Sequence, residues 1–153
     1  MDSNEPTIQE KVDQMKRLAL IALTVGAGLM LARPDTAAAQ SSAPPGGAYK
    51  MVSSLVPLPD FVPGLGTLYV DPATLPAGPF LAYDHQGKLV SSIYMIPLKD
   101  MNGQKGFSDL KVAHERVDHV DILYNAGHPG VAEPHYHVIL WYVSPQRASQ
   151  LAK

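Results

Sequence analysis

With 153 residues and a net charge of −2, from 12 Lys and Arg against 14 Asp and Glu, the chain is too short for two ordinary domains and too balanced to favour a nucleic-acid partner. Cysteine is absent, so disulfides and thiolate metal sites are excluded and any metal must be held by imidazole and carboxylate. Fourteen prolines and twelve glycines divide the chain into short segments suited to strands and turns rather than long helices.

The first forty residues read as an address. Met15-Lys16-Arg17 precedes an apolar run from Leu18 to Ala32, interrupted by Thr24, Gly26 and Gly28, and then comes Arg-Pro-Asp-Thr-Ala-Ala-Ala-Gln. A charged start, an apolar middle and small residues at the end make residues 1–39 a signal peptide, with cleavage expected after Ala39. Met15 reads as the true start, because Asp2, Glu5, Glu10 and Asp13 would make the leading region acidic. A retained membrane anchor is the weaker alternative, since the run spans only ~22 Å of a ~30 Å hydrocarbon core. With no twin arginine and no cysteine for lipid attachment, the general secretory route is expected, to the periplasm or the exterior. Membrane contact is then expected only through the uncleaved signal.

The remaining chain suffices for one modest core, and residues 49–153 are expected to form a single β-rich domain. Gln40 to Ala48 has no apolar periodicity and reads as a flexible leader. Pro57, Pro59 and Pro63 keep the next stretch extended and non-helical, with Leu55, Leu58, Phe61 and Leu65 free to pack. Gly66 to Val70 reads as a short strand. Phe80–Asp84 and Lys88–Ile96 should pair as a hairpin around the turn residues Asp84-His-Gln-Gly. Lys99 to Gly106 reads as a polar loop, and Phe107 to Arg116 as a short helical turn carrying Phe107, Leu110 and His114 on one stripe. Val117–Tyr124 and His135–Val143 give the strongest strand patterns, joined by Asn125 to Pro134. Ser144-Pro145 supplies an N-cap and a first-turn proline for a final helix, Gln146 to Ala152. The expected architecture is mainly β (α+β): a small antiparallel sheet or barrel-like domain with a short C-terminal helix.

Five of the six histidines, His114, His119, His128, His135 and His137, lie between residues 114 and 137. Alternate residues of a strand point to opposite faces, so parity tests whether they meet. If the last two strands pair antiparallel with an even register sum, Val120, Ile122, Tyr124, Tyr136, Val138 and Leu140 share a largely apolar face. His119, Asp121, His135 and His137 then share the other. Pairing Tyr124 with Pro134 would set Asp121 opposite His137 and Leu123 opposite His135. The two histidines of His135-x-His137 lie ~7 Å apart at Cα, close enough for both nitrogens to reach one ion ~2.1 Å away. His119 and Asp121 are the candidate further ligands. His128 and Glu133, on the connecting loop, are candidate later ligands, supporting groups or acid-base groups. Two histidines and a carboxylate suit Fe(II), Mn or Zn, whereas three histidines suit Zn or Cu. The same residues could instead be hydrogen-bonded structural histidines, a reading of comparable weight. No serine has a Gly-x-Ser-x-Gly setting, and no glycine-rich stretch joins a strand to a helix, so no nucleophile triad and no nucleotide cofactor are expected.

The stretch Asp118-His-Val-Asp-Ile-Leu-Tyr-Asn-Ala-Gly-His-Pro-Gly, followed by Pro134-His-Tyr-His, resembles an uncharacterised bacterial secreted family, domain of unknown function 5602. On that pattern Asn125, Gly127, His128, Pro134 and His135 match. His137 stands where the family has Asp, Ile139 stands where it has a second His, and the gap before Gly127 is one residue shorter. The resemblance covers about Gly64 to Gln150 and implies a compact β-rich fold with no known activity. Cupins also carry His-x-His on a strand, but the Glu their motif wants shortly after it is missing from Ile139 to Val143.

Three functional expectations follow. The first is an extracytoplasmic metal-binding domain, whose ion could serve an oxidoreductase or hydrolase as Lewis acid. The second is a non-catalytic binding or assembly protein forming homo-oligomers. The third is a carrier of small hydrophobic ligands, with a large enclosed pocket lacking convergent polar groups.

Overall fold

A computed structural model describes residues 40–153, and the signal segment expected at 1–39 lies outside the described residues. β1 (Lys50–Met51), β2 (Thr67–Val70), β3 (Phe80–Tyr83), β4 (Leu89–Pro97), β5 (His119–Asn125) and β6 (His135–Trp141) build one six-stranded sheet. All its pairings are antiparallel, in the order β1-β2-β3-β4-β6-β5. Two short helices follow the strands they extend, α1 (Leu98–Asn102) and α2 (Pro145–Ser149). The mainly β expectation holds. Among the described residues no helix is long and apolar enough to cross a membrane.

Local chemistry explains the β3–β4 hairpin. Asp84 closes its turn, its Oδ1 accepting from the backbone N–H groups of Gln86 and Lys88 at 3.0 and 2.9 Å. Gly87 adopts the positive φ of 73° that the turn requires. β4 is the longest strand, and it is buried on both faces along most of its length. Its alignment with β6 runs from Ser91 opposite Trp141 to Pro97 opposite His135. β6 therefore lies between β4 and β5, which leaves β5 at the sheet edge.

Each face of the sheet carries its own apolar cluster. The larger joins Leu68, Val70, Phe80, Ile93, Met95, Ile139 and Trp141, and is covered by Val56, Leu58, Phe61, Val62 and Leu65 from the proline-rich segment and by Leu151 after α2. The prolines thus supply a non-helical cover, as their spacing implies, although Leu55 remains 45% exposed. On the opposite face Tyr69, Leu81, Tyr83, Leu89 and Ala113 cluster, with Tyr49, Met51 and Tyr142 packed against them.

Three segments depart from the sequence reading. The leader at Gln40 is tied down at its start: Ala43 N donates to Gly87 O, Leu89 N to Ser41 O, and the Tyr83 hydroxyl to Gln40 O. The expected polar loop after β4 opens with α1, where Asp100 lies in the first turn and Gly103 N closes onto Lys99 O. Phe107 to Arg116 forms no helix. Leu110 and His114 of the proposed stripe are exposed, and Ala113 is buried instead, while Tyr94 donates its hydroxyl proton to Lys111 O. Bonds to the sheet outweigh a weak helical periodicity that would have had little to pack against. The final helix follows its caps, with Ser144 Oγ accepting from Arg147 N and Pro145 in the first turn, before a 3-10 turn at Gln150–Ala152.

Candidate metal centre

β5 and β6 pair with the expected parity, so His119, Asp121, Leu123 and Asn125 share a face with His135, His137, Ile139 and Trp141. The register differs from the one expected. Leu123 opposes His137, Asn125 opposes His135, and Asp121 opposes Ile139. The connecting loop sets this alignment. Asn125 Oδ1 accepts from Gly127 N at 2.8 Å, and His128 and Val131 then exchange two backbone hydrogen bonds around Pro129-Gly130. These turns occupy residues 126–134, so the last pair is Asn125 with His135, and Tyr124 lies opposite Tyr136 rather than Pro134.

Those turns deliver His128 to the end of β6. His128, His135 and His137 each present a ring nitrogen, and the three atoms lie within 4.8 Å of one another. Two of the rings are fixed by backbone. His135 Nδ1 is 2.7 Å from Glu133 O, and His128 Nδ1 is 2.9 Å from Pro129 O. A carbonyl oxygen can only accept, so Nδ1 carries a proton in both rings, and in the neutral form of each ring Nε2 keeps its lone pair. His135 Nε2 meets His137 Nε2 at 3.0 Å, and with His135 in its neutral form His137 is the donor. Two nitrogens each ~2.1 Å from a tetrahedral ion would lie ~3.4 Å apart, so a small opening of this pair admits one. His135 is fully buried and His137 partly so. Burial, reinforced by the neighbouring His135 and His128, pushes the His137 pKa down to about 4, so the ring is neutral near pH 7 and can ligate.

Gly127 and Gly130 make this loop sterically feasible. At Gly127 (φ 130°) a Cβ would stand 2.6 Å from Ala132 O. At Gly130 (φ 88°) a Cβ would stand 2.7 Å from Val56 Cγ1, where the loop seats on the proline-rich cover.

The other candidates are engaged elsewhere. Asp121 Oδ2 accepts from the indole N–H of Trp141 at 2.8 Å, giving a buried donor its partner. His119 stacks on the same indole with centroids 5.9 Å apart and bonds Asp118 through Nδ1. It opposes Trp141, four residues along β6 from His137, or ~13 Å of strand. Glu133 gives its carbonyl to His135, while its carboxylate pairs with Lys99 at 2.6 Å. His85 is exposed at its turn and stacks on Phe61. His128, placed by the sequence among later ligands or supporting groups, thus stands in the cluster itself. The clue was Gly127-His-Pro-Gly130, a tight-turn signature that folds its histidine back toward the strand it precedes.

The trio borders a cavity of about 440 Å³ between the sheet and the proline-rich cover, with His128 and His137 in its wall. Val56, Leu65, Phe80, Met95, Leu123 and Ile139 also line it, and among the described residues no Asp, Glu, Lys or Arg does.

No family model matches the chain, and no curated protein does. Among solved structures, the crystal structure of a hypothetical protein, TTHB210, from Thermus thermophilus is similar at 48% identity and a TM-score of 0.56. The match covers 62% of this chain and 87% of that one. At that identity and coverage the chain belongs to the same family as this Thermus protein.

Proposed function

We propose that this relative of the Thermus thermophilus protein is an exported metal-binding domain in which His128, His135 and His137 hold one Zn(II) ion. One observation carries the reading: three imidazoles converge, and two of them have their outer nitrogens tied to backbone carbonyls. Bound metal sites orient their histidines in this way, by giving the second ring nitrogen an acceptor. An all-imidazole trio favours zinc, with copper next, over the harder ions that want carboxylate. Three protein ligands leave a tetrahedral ion one open position, here beside the cavity. Export rests on the sequence at residues 15–39, a charged start, an apolar run and an Ala-rich cleavage region.

Elemental analysis of untagged protein, followed by zinc titration of the metal-free form, tests the reading. One equivalent should bind, and His137→Ala should weaken it by at least about 100-fold. Failure of the metal-free protein to take up zinc or copper would overturn it.

A second reading, assembly with further copies of the same chain, is favoured by β5. This edge strand exposes Val120, Ile122 and Tyr124 at 51, 65 and 56% on one face. Light scattering on the full chain and on Ile122→Lys tests it: a multimer that the substitution dissociates supports assembly, and a monomer in both cases rejects it.

A further inference from the structure

Resting on the zinc reading above, we infer that the cavity beside the trio takes an apolar monoanion, a small molecule with a hydrocarbon body and one carboxylate-like end placed on the ion. The first support is electrostatic. Three neutral imidazoles leave the charge of a divalent cation uncompensated, and a charge removed from water needs a counter-charge. The protein's own carboxylates nearby are committed: Asp121 to the Trp141 indole, Glu133 to Lys99, Asp118 to His119. The compensating anion must therefore come from outside.

The second support is the shape and chemistry of the space. A cavity of about 440 Å³ falls within the range that binds small molecules, and its wall is formed mostly by Val, Leu, Phe, Met and Ile side chains, with Tyr124, Asn125 and the two histidines as its polar residues. With no charged residue in the wall among the described residues, a second ionic group on the ligand would find no partner. One polar end and one apolar body are what the walls accommodate. A hydrophobic pocket alone would select for oiliness without regard to charge, and histidines alone would take any small anion. Joined, they discriminate on both counts.

The ligand is unidentified, so octanoate serves as probe, with acetate and octanol as controls, on the full chain loaded with Co(II), whose visible bands report a change of ligand. Octanoate should shift the bands and bind at least about 100-fold more tightly than acetate, since each buried methylene strengthens binding about 4-fold. Octanol should bind at least about 10-fold more weakly than octanoate. Leu55→Trp, at an exposed position on the cavity wall, should keep cobalt binding and weaken octanoate at least about 10-fold. Equal affinities for octanoate and acetate, or for octanoate and octanol, would overturn the inference while leaving the metal site intact. Undiminished octanoate binding to cobalt-free protein, measured by calorimetry, would do the same. Absence of any cobalt band would instead remove the metal reading, and this inference with it.

Discussion

The two faces of the β5–β6 hairpin invert what their compositions suggest. One face carries Val120, Ile122 and Tyr124 with Tyr136, Val138 and Leu140, and its β5 half is exposed. The other carries His119, Asp121 and Asn125 with His135 and His137, yet its β6 residues His135, Ile139 and Trp141 are buried. What decides is the rest of the sheet. Ile93 and Met95 of β4, opposite Ile139 and His137, continue the histidine face into the larger apolar cluster, which the proline-rich segment and Leu151 then cover. The buried polar groups of the hairpin itself are tolerated because they are partnered, His135 by Glu133 O and His137, and Trp141 by Asp121, whereas Ser91 Oγ, opposite Trp141 on β4, has no partner among the described residues.

The largest break in this contrast should come from His135→Ala. It removes a fully buried ring, leaves a void and strands the Glu133 carbonyl, so a loss of about 3 kcal/mol in denaturant unfolding is expected. Trp141→Phe deletes the donor to Asp121 and should cost about 2 kcal/mol. Adding Asp121→Asn to it should then cost much less than the same change in the native chain, because the carboxylate has already lost its indole partner.

Acid offers a third test through the cover of the histidine face. Burial acts to raise the Asp84 pKa, but hydrogen bonds from the Lys88 backbone, the Arg147 side chain and the Gln86 backbone outweigh it and hold the carboxyl below the usual 3.8. A depressed folded pKa contributes stability that is fully present above the unfolded value, near pH 4, and is lost as the pH falls through the folded one. Asp84→Asn should flatten this acid limb of stability against pH, since Arg147 ties α2, and with it Leu151, to the hairpin turn. The smallest effect belongs to the opposite face: Ile122→Lys should change the unfolding free energy of the isolated chain by no more than ~0.5 kcal/mol.

Much of this was legible in advance, for reasons specific to each segment. The β3–β4 hairpin and the capped final helix are set by short-range chemistry, at Asp84-His-Gln-Gly and Ser144-Pro145, that the sequence displays directly. Parity was legible too, because alternation survives any even register. The exact register was not, since it depends on how Asn125, Gly127 and His128 use the loop, and no periodicity reports that. For the same reason Asp121 could not be told apart from a ligand. Its engagement with Trp141 depends on the diagonal neighbour that only the true alignment supplies. Nor could alternation say which face is buried, a matter settled by β4 and the proline-rich cover.

The loop that carries His128 is held from several sides. His128 and Val131 lock its turn, Leu98 N donates to Pro134 O, and Glu133 reaches Lys99 across to α1. Imidazoles gathered in this way are preorganised, and an arriving ion would have little chain left to order. Capture should then depend chiefly on shedding the ion's water, and metal-free and metal-filled proteins should give nearly superimposable backbone amide spectra away from the three rings.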